Sequence, residues 1–543
     1  MPARRVPGAP SGATARPLVR FTFDGHEYEG VEGEPLAASL LAADRLILSR
    51  SFRFHRPRGL MCSTGACGWC ECEVDGVPSV RSCRVPVREG LVARGEHALP
   101  SVERDLLSLV GLVSRWIPPT FYHHRFLRPR RLRKQYLDVL RWFGGRGRLR
   151  AGERAPLAGR PARRIETDVL VVGGGRSGLL AALGAAEAGG RVVVVEAVAE
   201  PGGWRRASGV ADVGELAEQV RDAGVRILGG TAAVGWYAGT VAAIDDDAHL
   251  EIRAGSVVAA TGSYDRVPLV PGNDRPGVMA ARTVTWLLDR HGILPGERAL
   301  LVGGGEELAR AGEGLGRAGA TCVGPIPTAS LERVLGDRRV TGALVRDAGK
   351  RQRVSVDLVV FADRSPNLDL VLGIGAVVGR QGDTLVPVAD GSGRTSVASL
   401  FVAGSAAGRS ALGIAEDEVA PAVGRAAAAH AAGHAVAPAI PDPGWPATNH
   451  AREVASAARG AMVCFCEDVR AWEIRAEQAA GYADPELAKR RTGALTGPCQ
   501  GKYCLQSFAC LVGDASIPTA RPPLRPIRLG DLVASDPDEG GRA

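Results

Sequence analysis

The stretch Asp168–Glu196, DVLVVGGGRSGLLAALGAAEAGGRVVVVE, decides the fold of the middle of this chain. It predicts a buried strand, a glycine turn, a helix and a second buried strand, the pattern of a dinucleotide-binding βαβ unit. Its glycines Gly173, Gly175 and Gly178 stand at GxGxxG spacing. The first permits a tight turn, the second lets the backbone approach a pyrophosphate, and the third lets helix and strand pack closely.

The residues around this turn predict how a dinucleotide would be held. The helix begins near Ser177, and the unpaired N–H groups at a helix N-terminus favour phosphate. Glu196 ends the second strand eighteen residues past Gly178, where a carboxylate accepts hydrogen bonds from a ribose. A glycine-rich turn that binds nothing is the alternative, and the strands, helix and acid in register favour the dinucleotide site.

Length and composition indicate a globular protein of several domains. The chain has 543 residues, of which 45% are hydrophobic. Its longest apolar runs are shorter than the ~18 residues that a membrane-spanning helix needs, and collagen-like and disulfide-scaffold classes do not fit. The first residues, MPARRVPGAPSGATARP, are basic but lack the apolar segment of a signal peptide, so we predict a disordered leader and a cytoplasmic protein.

The formal net charge of +8 is concentrated in one region. Between Arg125 and Arg164 there are fourteen Lys and Arg residues, against Asp138 and Glu153 as the acids. Such a run could bind nucleic acid or an anionic membrane surface. A solvated helical connector between domains is favoured, because no nucleic-acid motif accompanies the charge, and we predict no nucleic-acid partner.

The N-terminal segment predicts the start of a β-grasp domain. Leu18–Phe23 alternates apolar and polar residues as a half-buried strand does. Asp24 and Gly25 then form a hairpin turn, and a helical pattern follows Pro35.

The first cysteine group follows this segment. Three cysteines stand at Cys-x4-Cys-x2-Cys and a fourth comes after twelve more residues: Cys62, Cys67, Cys70 and Cys83. This spacing is that of plant-type [2Fe-2S] ferredoxins, in which one loop folds over the cluster. A structural zinc site is the alternative, but zinc ribbons usually pair two short knuckles. Cys72, a fifth cysteine of the group, is interpreted as a packed or semi-exposed thiol and not as a ligand.

The second cysteine group lies near the C-terminus. A Cys-x-Cys pair and a Cys-x4-Cys pair are separated by thirty-two residues: Cys464, Cys466, Cys499 and Cys504. The intervening residues predict a helix, a turn at Gly481 and a second helix, which would bring the four thiolates around one metal centre. Zinc is again the alternative to an iron–sulfur cluster. Cys510 is predicted to be a core residue of the following helix.

The order of motifs in the central region resembles the FAD-containing oxidoreductases of the glutathione-reductase type. These motifs are GxGxxG, the Ala-Thr-Gly turn, PGNDRPGVM, a second glycine turn and LFVAG. The resemblance implies flavin contacts at Gly203, Trp204, Ala260, Thr261, Gly262, Gly404 and Ser405. Ser405 stands where that family has an aspartate on the ribityl chain.

By the same resemblance, the second glycine turn opens an NAD(P)-binding domain. Gly303 and Gly305 are in place, but Leu308 occupies the third glycine position. No acid or basic cluster closes the strand at 321–323, so the residues that recognise a ribose are missing. We expect a βαβ fold here and leave nicotinamide binding open.

The C-terminal cysteines resemble the bacterioferritin-associated ferredoxin (BFD) domain, which holds a [2Fe-2S] cluster. As a whole, the chain resembles the α-subunit-like electron-transfer chains of heteromeric amine and imino-acid dehydrogenases. These families include hydrogen cyanide synthase, opine oxidase, proline or hydroxyproline dehydrogenase and heterotetrameric sarcosine oxidase. The most specific shared pieces are HRPRG at 55–59, VRSCRVPV at 80–87 and CQGKYC at 499–504.

This resemblance implies an oxidoreductase subunit with FAD and two [2Fe-2S] clusters and no catalytic residue of its own for C–N oxidation. A partner subunit of the D-amino-acid-oxidase type would oxidise a secondary amine or imino acid, and this chain would pass the electrons to a quinone or carrier. The amine, the acceptor and the stoichiometry are not encoded in any motif. The alternatives are a self-contained NAD(P)H-dependent reductase and a zinc-binding scaffold with a vestigial flavin fold.

The predicted fold is multidomain α/β and α+β. It comprises a β-grasp ferredoxin-like domain, two dinucleotide-binding domains of the glutathione-reductase type and a small helical BFD-like domain. The predicted ranges are a leader at 1–17, the ferredoxin-like domain at 18–105, a helical basic connector at 106–165, the first part of the FAD domain at 166–275, the NAD(P)-like domain at 276–390, the FAD return segment at 391–440, the BFD-like domain at 456–515 and a tail at 516–543.

Overall fold

A computed structural model describes most of the chain, namely residues 4–6, 16–121, 130–144, 160–207, 212–408, 416–434, 460–513, 517–518 and 521–527. The chain divides into two compact units. The first unit comprises Met1–Ala151, Asp265–Asp363 and Asn449–Ser516, and the second comprises Gly152–Tyr264, Arg364–Thr448 and Ile517–Ala543.

The strands are β1 Leu18–Phe23, β2 His26–Val31, β3 Ser49–Arg50, β4 Pro57–Arg58, β5 Glu71–Val74, β6 Val77–Arg81, β7 Leu91–Gly95, β8 Ala162–Val172, β9 Val192–Val195, β10 Arg226–Leu228, β11 Ala232–Tyr237, β12 Thr240–Ile244, β13 His249–Ala259, β14 Ser263–Asp265, β15 Val278–Ala280, β16 Arg298–Val302, β17 Thr321–Ile326, β18 Leu331–Leu335, β19 Gly342–Asp347, β20 Lys350–Val354, β21 Leu358–Phe361, β22 Arg364–Pro366, β23 Val378–Gln381, β24 Thr384–Pro387, β25 Leu400–Val402, β26 Met462–Cys464 and β27 Val469–Arg470. The helices are α1 Leu36–Ala42, α2 Arg130–Gly144, α3 Arg176–Glu187, α4 Gly203–Ala207, α5 Asp212–Asp222, α6 Ala281–His291, α7 Glu306–Arg317, α8 Asp369–Ile374, α9 Glu416–Ala431, α10 Ala471–Ala479, α11 Pro485–Thr492 and α12 Leu505–Val512. Short 3₁₀ helices span Ser82–Arg84, Leu106–Trp116, Thr328–Ser330 and Gly404–Ala407.

The N-terminal sheet of the first unit has the predicted β-grasp arrangement. Its strand order is β2-β1-β7-β5-β6, with β1 antiparallel to β2 and parallel to β7. Asp24 and Gly25 join β1 to β2 with φ values of +50° and +79°, the left-handed conformation that a two-residue hairpin requires. Every residue of α1 is buried, and its leucines pack on Phe21 and Phe23 of β1.

A second, parallel sheet in the first unit has the order β15-β21-β16-β17. Helices α6 and α7 pack beside it, so the NAD(P)-like region does form a βαβ fold. Its core is continuous with that of the β-grasp domain, since Leu40, Leu301 and Val360 belong to one buried cluster. The antiparallel strands β18, β19 and β20 form a separate small sheet.

The C-terminal part of the first unit is the predicted small helical module. The hairpin β26–β27 leads into α10, and α11 follows a turn that contains Gly481 at φ +97°. Buried Ile474, Phe508 and Leu511 form its core. Cys510 lies buried on α12, as predicted.

The second unit is built on a sheet in which β10, β9, β8, β13 and β25 lie parallel and adjacent in that order. Helix α9 packs so closely on α3 that backbone atoms of the two helices approach each other. A Cβ added at Gly424 would lie 1.9 Å from the carbonyl oxygen of Ala181, and one at Gly184 would lie 2.3 Å from that of Pro421. Glycine is therefore required at both positions for this helix pair.

The predicted leader, connector and tail lie largely outside the described residues. One part of the leader differs from the prediction, because Arg5 is hydrogen-bonded to Glu34 at 2.7 Å and the Val6 N–H to the carbonyl oxygen of Gly292 at 2.8 Å. The predicted domain boundaries stay predictions. No helix in the described part of the chain has the length and apolar content needed to cross a membrane.

Candidate functional site

The predicted dinucleotide site lies at one edge of the sheet in the second unit. Gly173 follows β8, Glu196 follows β9, Ala260 follows β13 and Gly404 lies just past β25. These four strands are parallel, so their carboxyl ends meet at the same edge. Such an edge is where open α/β sheets bind their ligands.

The glycine turn has the steric properties that its spacing predicts. Gly173 has φ +110°, and an added Cβ would lie 2.3 Å from the carbonyl oxygen of Ala260. At Gly178 an added Cβ would lie 2.0 Å from the carbonyl oxygen of Gly173. A Cβ at Gly175, by contrast, would meet no atom within 4 Å, so open space faces the N-terminus of α3 where a pyrophosphate would lie. Ser177 lies in the first turn of that helix.

Glu196 also shapes the glycine turn. Its Oε2 accepts a hydrogen bond from the Gly174 N–H at 2.7 Å, and its Oε1 accepts one from the Val198 N–H at 3.1 Å. Each carboxylate oxygen retains a second acceptor position for a ribose hydroxyl. The bond to Gly174 could not be read from the sequence, because it spans twenty-two residues.

Gly203 and Trp204 begin α4 beside the same turn. Gly202 forms a parallel bridge with Gly175, and its N–H donates to the carbonyl oxygen of Gly174 at 2.7 Å. Gly203 has φ +58°, and an added Cβ would lie 3.2 Å from the Cα of Gly175. Trp204 therefore lies next to the space above the turn, although its own role as a cofactor contact stays a prediction.

The Ala-Thr-Gly turn is held by a residue that sequence reasoning missed. Asn367 donates its N–H to the carbonyl oxygen of Gly262 at 2.9 Å, and its carbonyl accepts from the Thr261 hydroxyl at 3.1 Å. Gly262 has φ +74°. On the neighbouring strand, Gly404 has φ +65° and Ser405 follows it in a 3₁₀ helix.

The first cysteine group forms two thiol pairs. Cys62 is hydrogen-bonded to Cys67, and Cys70 to Cys83, and all four side chains are buried. Backbone N–H groups also point at sulfur, including that of Trp69, which lies 3.4 Å from the Sγ of Cys67. Buried thiols with N–H donors are the surroundings that an iron–sulfur cluster requires.

Within each of these pairs, hydrogen bonding between the two thiols lowers the pKa of one and raises the pKa of the other. Burial raises the pKa of Cys62, but hydrogen bonds from Cys67, Thr64 and Tyr503 lower it to about 5. Burial and the Cys62 sulfur hold the pKa of Cys67 well above its usual range. The two thiols of this pair therefore differ in acidity.

The second cysteine group forms a connected series of thiols. Cys499 is hydrogen-bonded to both Cys466 and Cys504, and Cys504 also to Cys464. The bond to Cys466 holds the pKa of Cys499 well below its usual range, and N–H groups of Tyr503 and Gly501 also lower it. These hydrogen bonds link all four predicted residues in one series.

The two cysteine groups touch each other within the first unit. The Sγ of Cys466 lies 3.8 Å from the carbonyl oxygen of Cys67. The Tyr503 hydroxyl, from the closing motif of the second group, bonds the thiol of Cys62 in the first. Gly68 lies beside this contact, since a Cβ added there would be 4.0 Å from the Cys466 sulfur, an ordinary van der Waals distance.

Buried ion pairs of the HRPRG motif hold the two groups together. Arg58 contacts Asp274 at 2.6 Å and Asp468 at 2.7 Å, and all three side chains are almost fully buried. Asp468 also accepts hydrogen bonds from the N–H groups of Arg53 and Phe54 at 3.1 and 3.0 Å. The HRPRG motif therefore lies beside the cysteines because it forms these ion pairs, and it contributes no metal ligand.

The second glycine turn lacks features that favour phosphate. Gly303 and Gly305 have φ values of +98° and +91° and lead into α7. The first turn of α7 carries Glu306 and Glu307, whereas the first turn of α3 carries no acid. Negative charge near a helix N-terminus weakens the attraction of that terminus for a further anion such as a pyrophosphate.

The pairing of thiols in the first cysteine group is compatible with a two-iron cluster. A mononuclear zinc site needs four ligands around one point, whereas a [2Fe-2S] cluster spreads its four thiolates over two irons. The pairs Cys62–Cys67 and Cys70–Cys83 match the second arrangement.

The fold and these sites define a class of protein, an oxidoreductase in which a ferredoxin-like domain is fused to a two-dinucleotide-domain flavoprotein fold. A family model of a 2Fe-2S iron–sulfur cluster binding domain matches residues 16–98. A model of the pyridine nucleotide-disulphide oxidoreductases matches residues 167–311.

The chain is a homologue of subunits of two oxidases of Rhizobium meliloti strain 1021. It is 29% identical to the alpha subunit of sarcosine oxidase over 579 residues, which cover 95% of this chain and 57% of that protein. It is 27% identical to an opine oxidase subunit over 466 residues, which cover 67% of this chain and 98% of that protein. The chain thus spans little more than half of the sarcosine oxidase protein.

The fold has a counterpart among solved structures. The crystal structure of L-proline dehydrogenase from P. horikoshii superposes with a TM-score of 0.70 and 23% identity, covering 98% of this chain and 100% of that one. The predicted resemblance to α-subunit-like chains of heteromeric amine and imino-acid dehydrogenases is therefore confirmed.

Proposed function

We propose that this chain is the electron-transfer subunit of a heteromeric dehydrogenase or oxidase that acts on the C–N bond of a secondary amine or imino acid. Its cofactors would be FAD and two [2Fe-2S] clusters. A flavin takes two electrons from an organic donor and releases them singly, and an iron–sulfur cluster carries one electron at a time. The proposal is supported by the homology to sarcosine and opine oxidase subunits.

The observation that carries the proposal is the contact between the two cysteine groups. Cys466 lies 3.8 Å from the backbone of Cys67, so groups bound at the two sites would be separated only by their own ligands. The ring of Trp69 packs edge-on against that of Phe465, with 4.9 Å between ring centres, and both are buried. A direct contact between the two sites suits electron transfer, whereas two independent zinc sites would not require one.

The cluster ligands in this proposal are the eight predicted cysteines: Cys62, Cys67, Cys70, Cys83, Cys464, Cys466, Cys499 and Cys504. The flavin contacts are the predicted residues at the sheet edge of the second unit. The C–N bond would be oxidised by a partner subunit of the D-amino-acid-oxidase type. A cytoplasmic location is also proposed, since disulfides persist in oxidising compartments and none joins any two of the eleven cysteines.

An anaerobic reduction experiment tests this function. The full chain is purified, its flavin, iron and acid-labile sulfide are measured, and flavin bleaching is followed after adding NADH, then a panel of secondary amines, then dithionite. We expect bleaching by dithionite alone, because the second glycine turn carries Glu306 and Glu307 and the amine-oxidising site belongs to a partner. Rapid flavin bleaching by NADH would contradict this proposal and identify a self-contained NAD(P)H-dependent reductase. Zinc in place of iron would identify a zinc-binding scaffold.

A further inference from the structure

A cavity of about 230 Å³ in the first unit is lined by four arginines. They are Arg56, Arg275, Arg333 and Arg470, and the ring of Trp472 forms part of the wall. These residues come from four separate stretches of sequence, so no local motif explains why their positive charges meet. The cavity contains none of the predicted cysteine ligands and none of the residues of the dinucleotide turn.

The positive charge of this pocket is only partly neutralised. Arg56 is paired with Asp274 at 2.6 Å, but the same carboxylate is shared with Arg58. Among the described residues, Arg275 and Arg333 form no ion pair. Arg275 donates from Nη1 to the carbonyl oxygen of Val334 at 2.7 Å, while its Nε is buried without a hydrogen-bond partner in the described part of the chain.

The pKa shifts of two of the four guanidinium groups agree with unbalanced positive charge, whereas, despite burial, Asp274 raises the pKa of Arg56. Burial, and then the neighbouring charge of Arg56, lower the pKa of Arg275. The same two causes lower the pKa of Arg470, although Glu473 and Asp468 act against them. Pairing with a carboxylate raises the pKa of a guanidinium group. An anion bound in this pocket would therefore stabilise the charged form of these arginines.

We propose that this pocket binds the phosphate group of a small ligand. Guanidinium groups hold phosphate through paired, charge-assisted hydrogen bonds, and a doubly charged anion matches several of them better than a carboxylate does. Trp472 is 37% exposed, so its ring can stack on a planar organic part. The volume is below the ~300–1,000 Å³ of pockets for drug-sized ligands, which favours a phosphate with a small organic part.

Calorimetric titration of the full chain with its cofactors, using inorganic phosphate at constant ionic strength, tests this site. We expect saturable binding that weakens at least tenfold in Arg333→Gln and in Arg470→Gln. Arg317→Gln removes an exposed arginine of the same unit outside the pocket and should bind as the wild type does. Arg333 is exposed, so its variant should keep its fold and its iron content, which makes the result interpretable.

Two results would overturn the proposal: binding no stronger than that of chloride or acetate at equal ionic strength, or equal binding in all three variants. A second titration separates the sources of the phosphate. If adenosine monophosphate competes with phosphate and Trp472→Leu weakens only the nucleotide, the pocket takes a ring-bearing phosphate ester. If the nucleotide does not compete, the pocket takes inorganic phosphate or a smaller ester.

Discussion

At the scale of single residues, Asp274 gives a prediction for stability. Burial raises its pKa, but Arg56 and Arg58 hold that pKa below its usual range. Asp274→Asn would remove the carboxylate of the partly exposed Arg56 and one of the two carboxylates of the buried Arg58, which keeps Asp468, so we expect a loss of about 3 kcal/mol in stability. Because the folded-state pKa is lowered, this contribution is complete above pH ~4, the unfolded value, and is lost as the pH falls further.

Thermal unfolding of Asp274→Asn and wild type between pH 3.5 and 7 checks this effect. The difference in unfolding temperature between the variant and the wild type should be constant near neutral pH and should become smaller below pH ~4. Glu29→Gln is the matched control, because Glu29 is exposed and its contact with Arg20 is 3.9 Å, so it should change little. A difference independent of pH, or an equal loss in the control, would contradict the assignment.

The cysteines of the first group give a second prediction. Cys83→Ser removes one thiol of the pair with Cys70, so we expect loss of about half of the iron and sulfide while the flavin stays bound. Cys72→Ser is the matched control, since Cys72 is equally buried on the adjoining strand but is not a predicted ligand. Full iron in Cys83→Ser, or loss of iron in both variants, would refute the ligand set.

The sequence predicts functional residues only where they lie close to one another along the chain. The cysteines could be identified because their intervals match a known chemistry. Asn367, Asp468 and Tyr503 could not, because each acts on a site more than a hundred residues away along the chain. Contacts at that separation depend on how the strands and modules pack, which no local pattern encodes.

At the scale of elements, the first glycine turn gives a prediction that separates binding from folding. Gly175 has φ −69° and open space around an added Cβ, so Gly175→Ala should fold normally but place a methyl group where the pyrophosphate lies. We expect flavin affinity at least tenfold weaker with an unchanged unfolding midpoint of the flavin-free chain. Fluorescence titration with FAD measures the affinity.

Two other glycines are the controls for that experiment. Gly178→Ala would place its Cβ 2.0 Å from a backbone oxygen, so both folding and flavin binding should suffer. Gly214, in α5, has open space and a helical backbone, so alanine there should leave flavin binding intact and stabilise the helix slightly. Normal flavin affinity in Gly175→Ala would show that this turn holds no pyrophosphate.

Elements with strong periodicity were predictable from sequence. The strand Leu18–Phe23 has the bounds that its alternation predicts, and the helix after Pro35 begins at Leu36. Part of the difference between the two glycine turns could be predicted from the sequence, because the second turn lacks the third glycine. The acids Glu306 and Glu307 at the start of α7 add the electrostatic reason, which depends on where the helix begins.

At the scale of the whole molecule, the structure joins modules that are far apart in sequence. The N-terminal ferredoxin-like segment, the NAD(P)-like segment and the C-terminal cysteine module form one compact unit. Arg58 of the N-terminal segment contacts Asp274, in the segment Asp265–Asp363, and Asp468 of the C-terminal module. The sequence predicts each module, but their grouping depends on buried ion pairs between distant residues, and no single-sequence pattern reports such pairs.

The measurement that tests the central claim most directly is electron paramagnetic resonance of the full chain reduced with dithionite. Reduced [2Fe-2S] clusters are paramagnetic, and the Cys466–Cys67 contact brings the two sites together. We predict two cluster signals, broadened by their mutual interaction, with about twice the integrated spin of Cys83→Ser, in which one unbroadened signal should remain. A single signal in the wild-type chain, or two signals without interaction, would contradict the account of adjacent clusters.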